Sequence, residues 1–278
     1  MLWPRQPLGM SIIGSAESVG KIKRQHVHLY KQQYYVPQNI VVSVCGRVKY
    51  ERFTQQVGKI FGGLKNTSIG AFLRVKEEQE SPQLKLFNKD TEQTHLALGF
   101  HSFHRDHPLR HALGMLHVAL GANMSSRLFN EVREKRGLAY EIGTQVKRFH
   151  DTGAFIVHAG IDNSKVTEAV SVILRELKKI SEKQISVDEF RRAKEFYIGQ
   201  LVLALEDTLD QMLWVGESTV ALNRTYTLEE IIRQVKRLTR EDICSVAQQL
   251  FKEENLNLAI IGPLKDSEDA LYKRLSFD

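Results

Sequence analysis

The chain has 278 residues, 42% hydrophobic and 26% charged, the balance of a soluble globular protein long enough for one large core or two modest ones. Its net charge of +6 comes from lysines and arginines scattered among 33 acidic residues, with no basic block or aromatic platform, so nucleic acid is not an expected partner. No apolar run reaches bilayer length, the start lacks a secretory signal pattern, and two cysteines, Cys45 and Cys244, are too few for a disulfide framework or a cysteine zinc site. A reducing, cytoplasmic setting without a membrane partner is therefore expected.

In chain order, the first clear unit is KRQHVHLYKQQYYVPQNIVVSVCG (23–46), an amphipathic helix, a polar turn and a β-rich strand ending in glycine. It lies without gaps on TREDICSVAQQLFKEENLNLAIIG (239–262) at a constant offset of 216, matching Arg24 to Arg240, Val27 to Ile243, Asn39 to Asn255 and Gly46 to Gly262. The match predicts a duplicated architecture. The polar stretch 65–82 reads as a linker, residues 1–64 as the C-terminal remnant of a first unit, and 83–278 as a complete second unit. On that offset about 130 residues of the first unit lie outside the chain, so a truncated first unit is expected.

Within 83–278, LKLFNKD and TEQTHLALGF predict two strands, and a helix is expected to open near Pro108. Strands are expected over roughly 138–148 and 152–160. In the long helix after Asn163, Val166, Val170, Ile173, Leu177 and Ile180 share one apolar face. Ser186-Val-Asp-Glu189 and Thr227-Leu-Glu-Glu230 are capping-box patterns that open two more helices. Strands paired with a helical layer make an α+β fold.

Few residues point to chemistry. HSFHRDHPLRH (101–111) holds His101, His104, His107 and His111, but Pro108 takes His107 out of a regular turn and no third ligand is in view, so a solvated loop and helix start is the simpler reading. His117 lies among apolar residues and reads as a core or boundary histidine. No His-Glu-x-x-His, His-x-x-Glu-His, Gly-x-Ser-x-Gly, phosphate loop or dinucleotide fingerprint occurs. In SSRLFNEVREKRGLAY (125–140), Leu128, Phe129 and Val132 form a buried helix stripe, Gly137 ends the helix left-handed, and Leu138 and Tyr140 begin a strand on alternating positions. Arg133 and Tyr140 would then be mounted on two rigid elements, as donors suited to a peptide carbonyl or an oxyanion. On pattern alone they read as a surface arginine and a boundary tyrosine in a helix–strand corner.

At this stretch the sequence resembles the second-domain signature of the insulinase/pitrilysin-like zinc metallopeptidases, the family that includes mitochondrial processing peptidase. PLGMSIIGSAESV and YYVPQNIVVSVCG resemble the segment after that family's metal site. The resemblance implies duplicated α+β units, with His-x-x-Glu-His and a later Glu holding zinc in the first unit. From the second unit it implies an Arg and a Tyr, here Arg133 and Tyr140, reaching across a chamber to a peptide or presequence substrate. Since the zinc motif would fall outside these residues, the chain alone is expected to bind no catalytic zinc and to hydrolyse nothing, with no catalytic residue of its own. The expected partner is the missing N-terminal half or a homologous peptidase subunit, with self-pairing as a further route. The rival reading is a non-catalytic scaffold or binding subunit that pairs with an active homologue.

Overall fold

A computed structural model describes residues 1–66, 69–263 and 268–277. Its strands are β1 (Gln83–Asn88), β2 (Thr94–Ser102), β3 (Ala139–Arg148), β4 (Gly153–Ile161) and β5 (Asn257–Gly262). Its helices are α1 (Ala16–Gly20), α2 (Arg24–Tyr34), α3 (Tyr50–Phe61), α4 (Arg110–Gly121), α5 (Val166–Glu182), α6 (Val187–Ala204), α7 (Thr208–Leu222), α8 (Leu228–Arg237), α9 (Arg240–Leu250) and α10 (Glu268–Tyr272). The chain divides into two compact units: one of Met1–Pro4, Val75–Ile198 and Ile232–Asp278, the other of Arg5–Arg74 and Gly199–Ile231.

The first unit is built on a five-stranded sheet in the order β1-β5-β2-β4-β3, with β1 and β5 parallel and the other pairs antiparallel. Helices α4, α5 and α9 pack against one another and cover one sheet face. Alternation along the strands sends Leu96, Leu98 and Phe100, Phe155 and Val157, and Leu258 and Ile260 into the core beneath them. The expected α5 face is buried at every position from Val166 to Ile180. Thr227 and Glu230 form the full capping box at α8, each backbone N–H donating to the other side chain (2.8 and 3.2 Å). At α6 only half of the box forms: Ser186 Oγ accepts from the Glu189 N–H at 3.2 Å, while the Glu189 carboxylate goes elsewhere. Helix α4 starts at Arg110, with Pro108 in the turn just before it. The fold is α+β, a sheet with a helical layer, as the sequence predicts.

The duplication is visible in the element bounds. Helix α2 and helix α9 have the same ends once shifted by 216, and each is followed by a 3₁₀ turn, Pro37–Asn39 and Glu253–Asn255. Even the caps correspond: the Lys23 N–H donates to His26 Nδ1 at 3.2 Å where the Thr239 N–H donates to Asp242 Oδ2 at 2.7 Å. The third element differs. β5 is hydrogen-bonded on both sides, whereas 41–46, expected as a strand, belongs to no ladder among the described residues. A strand needs partner strands to satisfy its backbone. Within the second unit this segment instead lies along α7, with Ser43 Oγ donating to the Met212 carbonyl at 2.8 Å and Cys45 Sγ 3.3 Å from Gln211 Oε1.

Few apolar side chains of the second unit are shielded: Val36 and Ile231 are buried, while Ile13 (84%), Tyr50 (75%) and Ile60 (72%) stand exposed. Exposed apolar surface beside unpaired strand backbone drives association. The purified chain is therefore expected to self-associate or aggregate in sizing with light scattering; a monodisperse monomer would contradict this.

Candidate functional site

The stretch 125–140 connects α4 to β3 and departs from ideal geometry twice. Asn123 Oδ1 accepts the Ser125 N–H at 2.8 Å, and a helical turn opens from Ser126. The turn then widens into a π-helix over Phe129–Glu134, in which the Lys135 N–H reaches the Asn130 carbonyl, five residues back, at 2.9 Å. The ordinary helix expected from periodicity is thus corrected by one inserted residue. A π-turn rotates everything after it around the axis and is common where a side chain must be aimed. Gly137 ends the element at φ +56°, the left-handed conformation expected of it, with its N–H on the Arg133 carbonyl and the Leu138 N–H on that of Val132, both 2.9 Å.

The second departure is in β3. Ala139 faces Ile161 and Glu141 faces Gly160, so Tyr140 is the unpaired residue of a β-bulge. Alternation from Leu138 to Tyr140 is therefore broken: Leu138 is buried and Tyr140 is 74% exposed. Bulges re-aim side chains in this way. Together the two irregularities bring Arg133 and Tyr140 to one corner. The guanidinium carbon lies 5.6 Å from the Tyr140 ring and 4.9 Å from the Phe129 ring. Leu128 and Val132 are fully buried and fix the helix; Phe129, expected in the same stripe, is half-buried and serves as the platform for Arg133.

The other cations of the stretch are bound to carboxylates. Lys135 and Arg136 pair with Glu131 at 2.5 and 2.6 Å, and those hydrogen bonds hold the Glu131 carboxyl down at about 2. Arg127 forms a fork on Glu189 of α6, with Nε at 2.6 Å and Nη2 at 2.9 Å, both side chains about four-fifths buried. Among the described residues Arg133 has one carboxylate partner, Glu134 at 4.0 Å, besides the two rings. Beside the pair, a hollow of about 460 Å³ is lined by Gly137, Tyr140, Glu92, Gln93, Asp162 and Asn163. The corner offers guanidinium N–H and phenol O–H donors to a carbonyl oxygen, with apolar ring faces alongside.

The histidines are engaged separately. His101 Nε2 is 2.6 Å from the Leu2 carbonyl, His107 stacks on Phe103 at 4.0 Å, His104 meets His107 edge-on, and His111 Nδ1 is 3.3 Å from the Tyr197 hydroxyl. His117 Nδ1 sits 2.7 Å from Thr144 Oγ1. Among the described residues no three His, Cys, Asp or Glu side chains are grouped to share a metal ion, so their donor set does not fit a zinc site.

Comparison with known proteins gives the family of this α+β fold. Residues 21–197 match the family described as "Peptidase M16 inactive domain". The chain belongs to the M16 family of insulinase-type peptidases, in the part described as its inactive domain. It is 32% identical over 267 residues to an "uncharacterized zinc protease" of Streptomyces coelicolor, covering 94% of this chain and 58% of that protein. It is equally 32% identical to the uncharacterized zinc protease YmxG of Bacillus subtilis, covering 92% and 62%. The chain thus spans about three fifths of the length of these relatives. Among solved structures it is similar in fold to a peptidase M16 inactive domain from Pseudomonas fluorescens (TM-score 0.87, 18% identity, 96% of this chain and 64% of that one). A protease from Helicobacter pylori is also similar (TM-score 0.82, 23% identity, 90% and 62%).

Two measurements check this account, one of the 125–140 stretch and one of the histidines of α4. Breaking the largely buried fork by Glu189→Gln leaves Arg127 without its charged acceptor; urea unfolding should show a loss of about 1.5–3 kcal/mol. An unchanged midpoint would mean the fork does not anchor the stretch. The second concerns acid. Burial holds both His111 and His117 at about 4, aided at His111 by Arg110 and Arg148 and at His117 by Arg148 and His158. Unfolded histidines titrate near 6.5. Between those values the unfolded chain binds more protons, so this contribution is complete above about 6.5 and is lost as pH falls toward 4. Melting temperature should fall across that window, and less steeply in His117→Gln; an identical slope would contradict the burial of a neutral imidazole.

Proposed function

We propose that this chain is the C-terminal segment of a zinc metalloendopeptidase of the insulinase/pitrilysin type, and that Arg133 and Tyr140 bind the substrate backbone during peptide-bond hydrolysis. The observation that carries the reading is the corner itself: a π-turn and a bulge, each one inserted residue, converge to hold an otherwise weakly paired guanidinium 5.6 Å from an exposed phenol ring. A backbone shaped twice to present two donors is poorly explained by surface chance. Their N–H and O–H groups would hold the carbonyl oxygen of the scissile or a neighbouring peptide, a contact that gains strength as the oxygen acquires charge. The reading divides the chain into the remnant of a first repeat (1–64), a linker (65–82) and a complete second repeat (83–278). The metal, the attacking water and its base would lie on polypeptide beyond these residues, either the N-terminal half or a homologous subunit. Zinc is supported by the relatives' names, "zinc protease".

A second reading, a non-catalytic subunit that pairs with an active homologue, is favoured by the family's description of the matched region as an inactive domain. Activity separates the two. In an enzyme reassembled from this chain and the motif-bearing half, Arg133→Ala should lower kcat by roughly a hundredfold, as loss of one oxyanion donor does, with a smaller change in KM. Unchanged hydrolysis would remove the assignment and leave the binding-subunit reading.

A further inference from the structure

Helices α4, α5 and α9 cover one face of this sheet, and residues of β2 that point to the opposite face help to form a small niche. Gly99 and His101 on β2 point away from the core residues Leu98 and Phe100, and Phe149 follows the end of β3. Leu2 and Trp3 are seated there. The Leu2 carbonyl meets His101 Nε2 at 2.6 Å, and the Trp3 ring stands edge-on to Phe149 (5.4 Å, 90°) and to His101 (5.8 Å, 60°). Trp3 is 7% exposed, yet its indole N–H finds no acceptor among the described residues. A Cβ placed on Gly99 would meet Leu2 Cδ1 first, at 3.6 Å, and its three nearest atoms all belong to Leu2. Leu2 thus lies directly over Gly99, and the larger branches of a valine there would enter the space that Leu2 fills.

We propose that this niche is an aromatic-residue subsite for a bound extended peptide, occupied here by the chain's own Leu2–Trp3. The inference rests on the peptide-binding reading above and names what the ligand must carry. A main-chain carbonyl takes the His101 imidazole N–H, an apolar side chain lies over Gly99, and an aromatic ring enters between His101 and Phe149. The buried indole N–H without a partner is a defect of the present occupant. A phenylalanine ring enters the same space without a stranded donor while filling less of it, so the niche accepts an aromatic ring that has no N–H. Strand register also links the niche to the Arg133–Tyr140 corner. From His101 the open face runs back along β2 over Gly99 and Ala97 to His95, which faces Gly160, which in turn faces Glu141 beside Tyr140. Six residues of strand are roughly 20 Å, the length of about six extended residues of ligand. Gly99, Ala97 and Gly160 are the small positions on this path, where a backbone can approach closely.

The test uses a fluorescently labelled, amidated Met-Leu-Phe-Pro peptide and fluorescence anisotropy. Two forms of the chain open the niche, Leu2→Ser with Trp3→Ser, and Trp3→Ala alone, each checked for an unchanged circular dichroism spectrum. The opened chain should bind at least tenfold more tightly than the unmodified chain, and adding Gly99→Val to it should return binding to the unmodified level. Binding no tighter in either opened form, or binding indifferent to Gly99→Val, would overturn the proposal. Because no hydrolysis is read, failure here removes the subsite alone, while the Arg133→Ala result on kcat stands or falls by itself.

Discussion

The Arg133 guanidinium lies against two aromatic rings, those of Phe129 and Tyr140, and the character of the corner follows from it. Each such contact at a partly exposed site is worth about 0.5–1 kcal/mol. That is too little to decide the fold and enough to select one rotamer of a long side chain. The stack thus orients a donor rather than stabilising the domain. Stability in this stretch comes from elsewhere: the fully buried Leu128 and Val132, and the Arg127–Glu189 fork that ties its first turn to α6. The charged run that looks out of place between apolar ends divides its labour. Glu131 occupies Lys135 and Arg136, Glu189 occupies Arg127, and Arg133 keeps its N–H groups available.

The two copies of the repeat show how far local sequence carries a fold and where partners take over. Helices α2 and α9 and the 3₁₀ turns after them share their bounds, because caps, apolar spacing and turn residues are local instructions. The extended segments that follow are equally apolar, but only β5 becomes a strand, since β1 and β2 stand on either side of it. Residues 41–46 carry a strand's pattern without a strand's neighbours. Apolar residues of the second unit such as Ile13, Tyr50 and Ile60 are likewise left exposed.

Much of the fold was legible from residues alone. The five apolar positions of α5, the strand pair around 150, the left-handed Gly137 and the box at Thr227 each rest on a short-range rule. Arg133 and Tyr140 were legible as a pair only through resemblance, since on pattern they pass for surface residues. What periodicity missed are the two inserted residues. A π-turn keeps the apolar spacing of a helix to within one position, and a bulge is invisible until the partner strand is known, so Phe129 as a platform and Tyr140 as an exposed residue could not be foreseen. Glu189 was marked by its capping pattern, but its carboxylate serves Arg127, a contact between residues 62 apart in sequence that no local rule encodes.

If the corner acts as one unit, its two donors must be energetically coupled through the substrate they share. The direct measurement is a double-mutant cycle of Arg133→Lys and Tyr140→Phe on kcat/KM in the reassembled enzyme. The account predicts that the double variant loses little more than the worse single variant, as for residues that act together. Losses that simply multiply, or two single variants as fast as the unmodified enzyme, would contradict it.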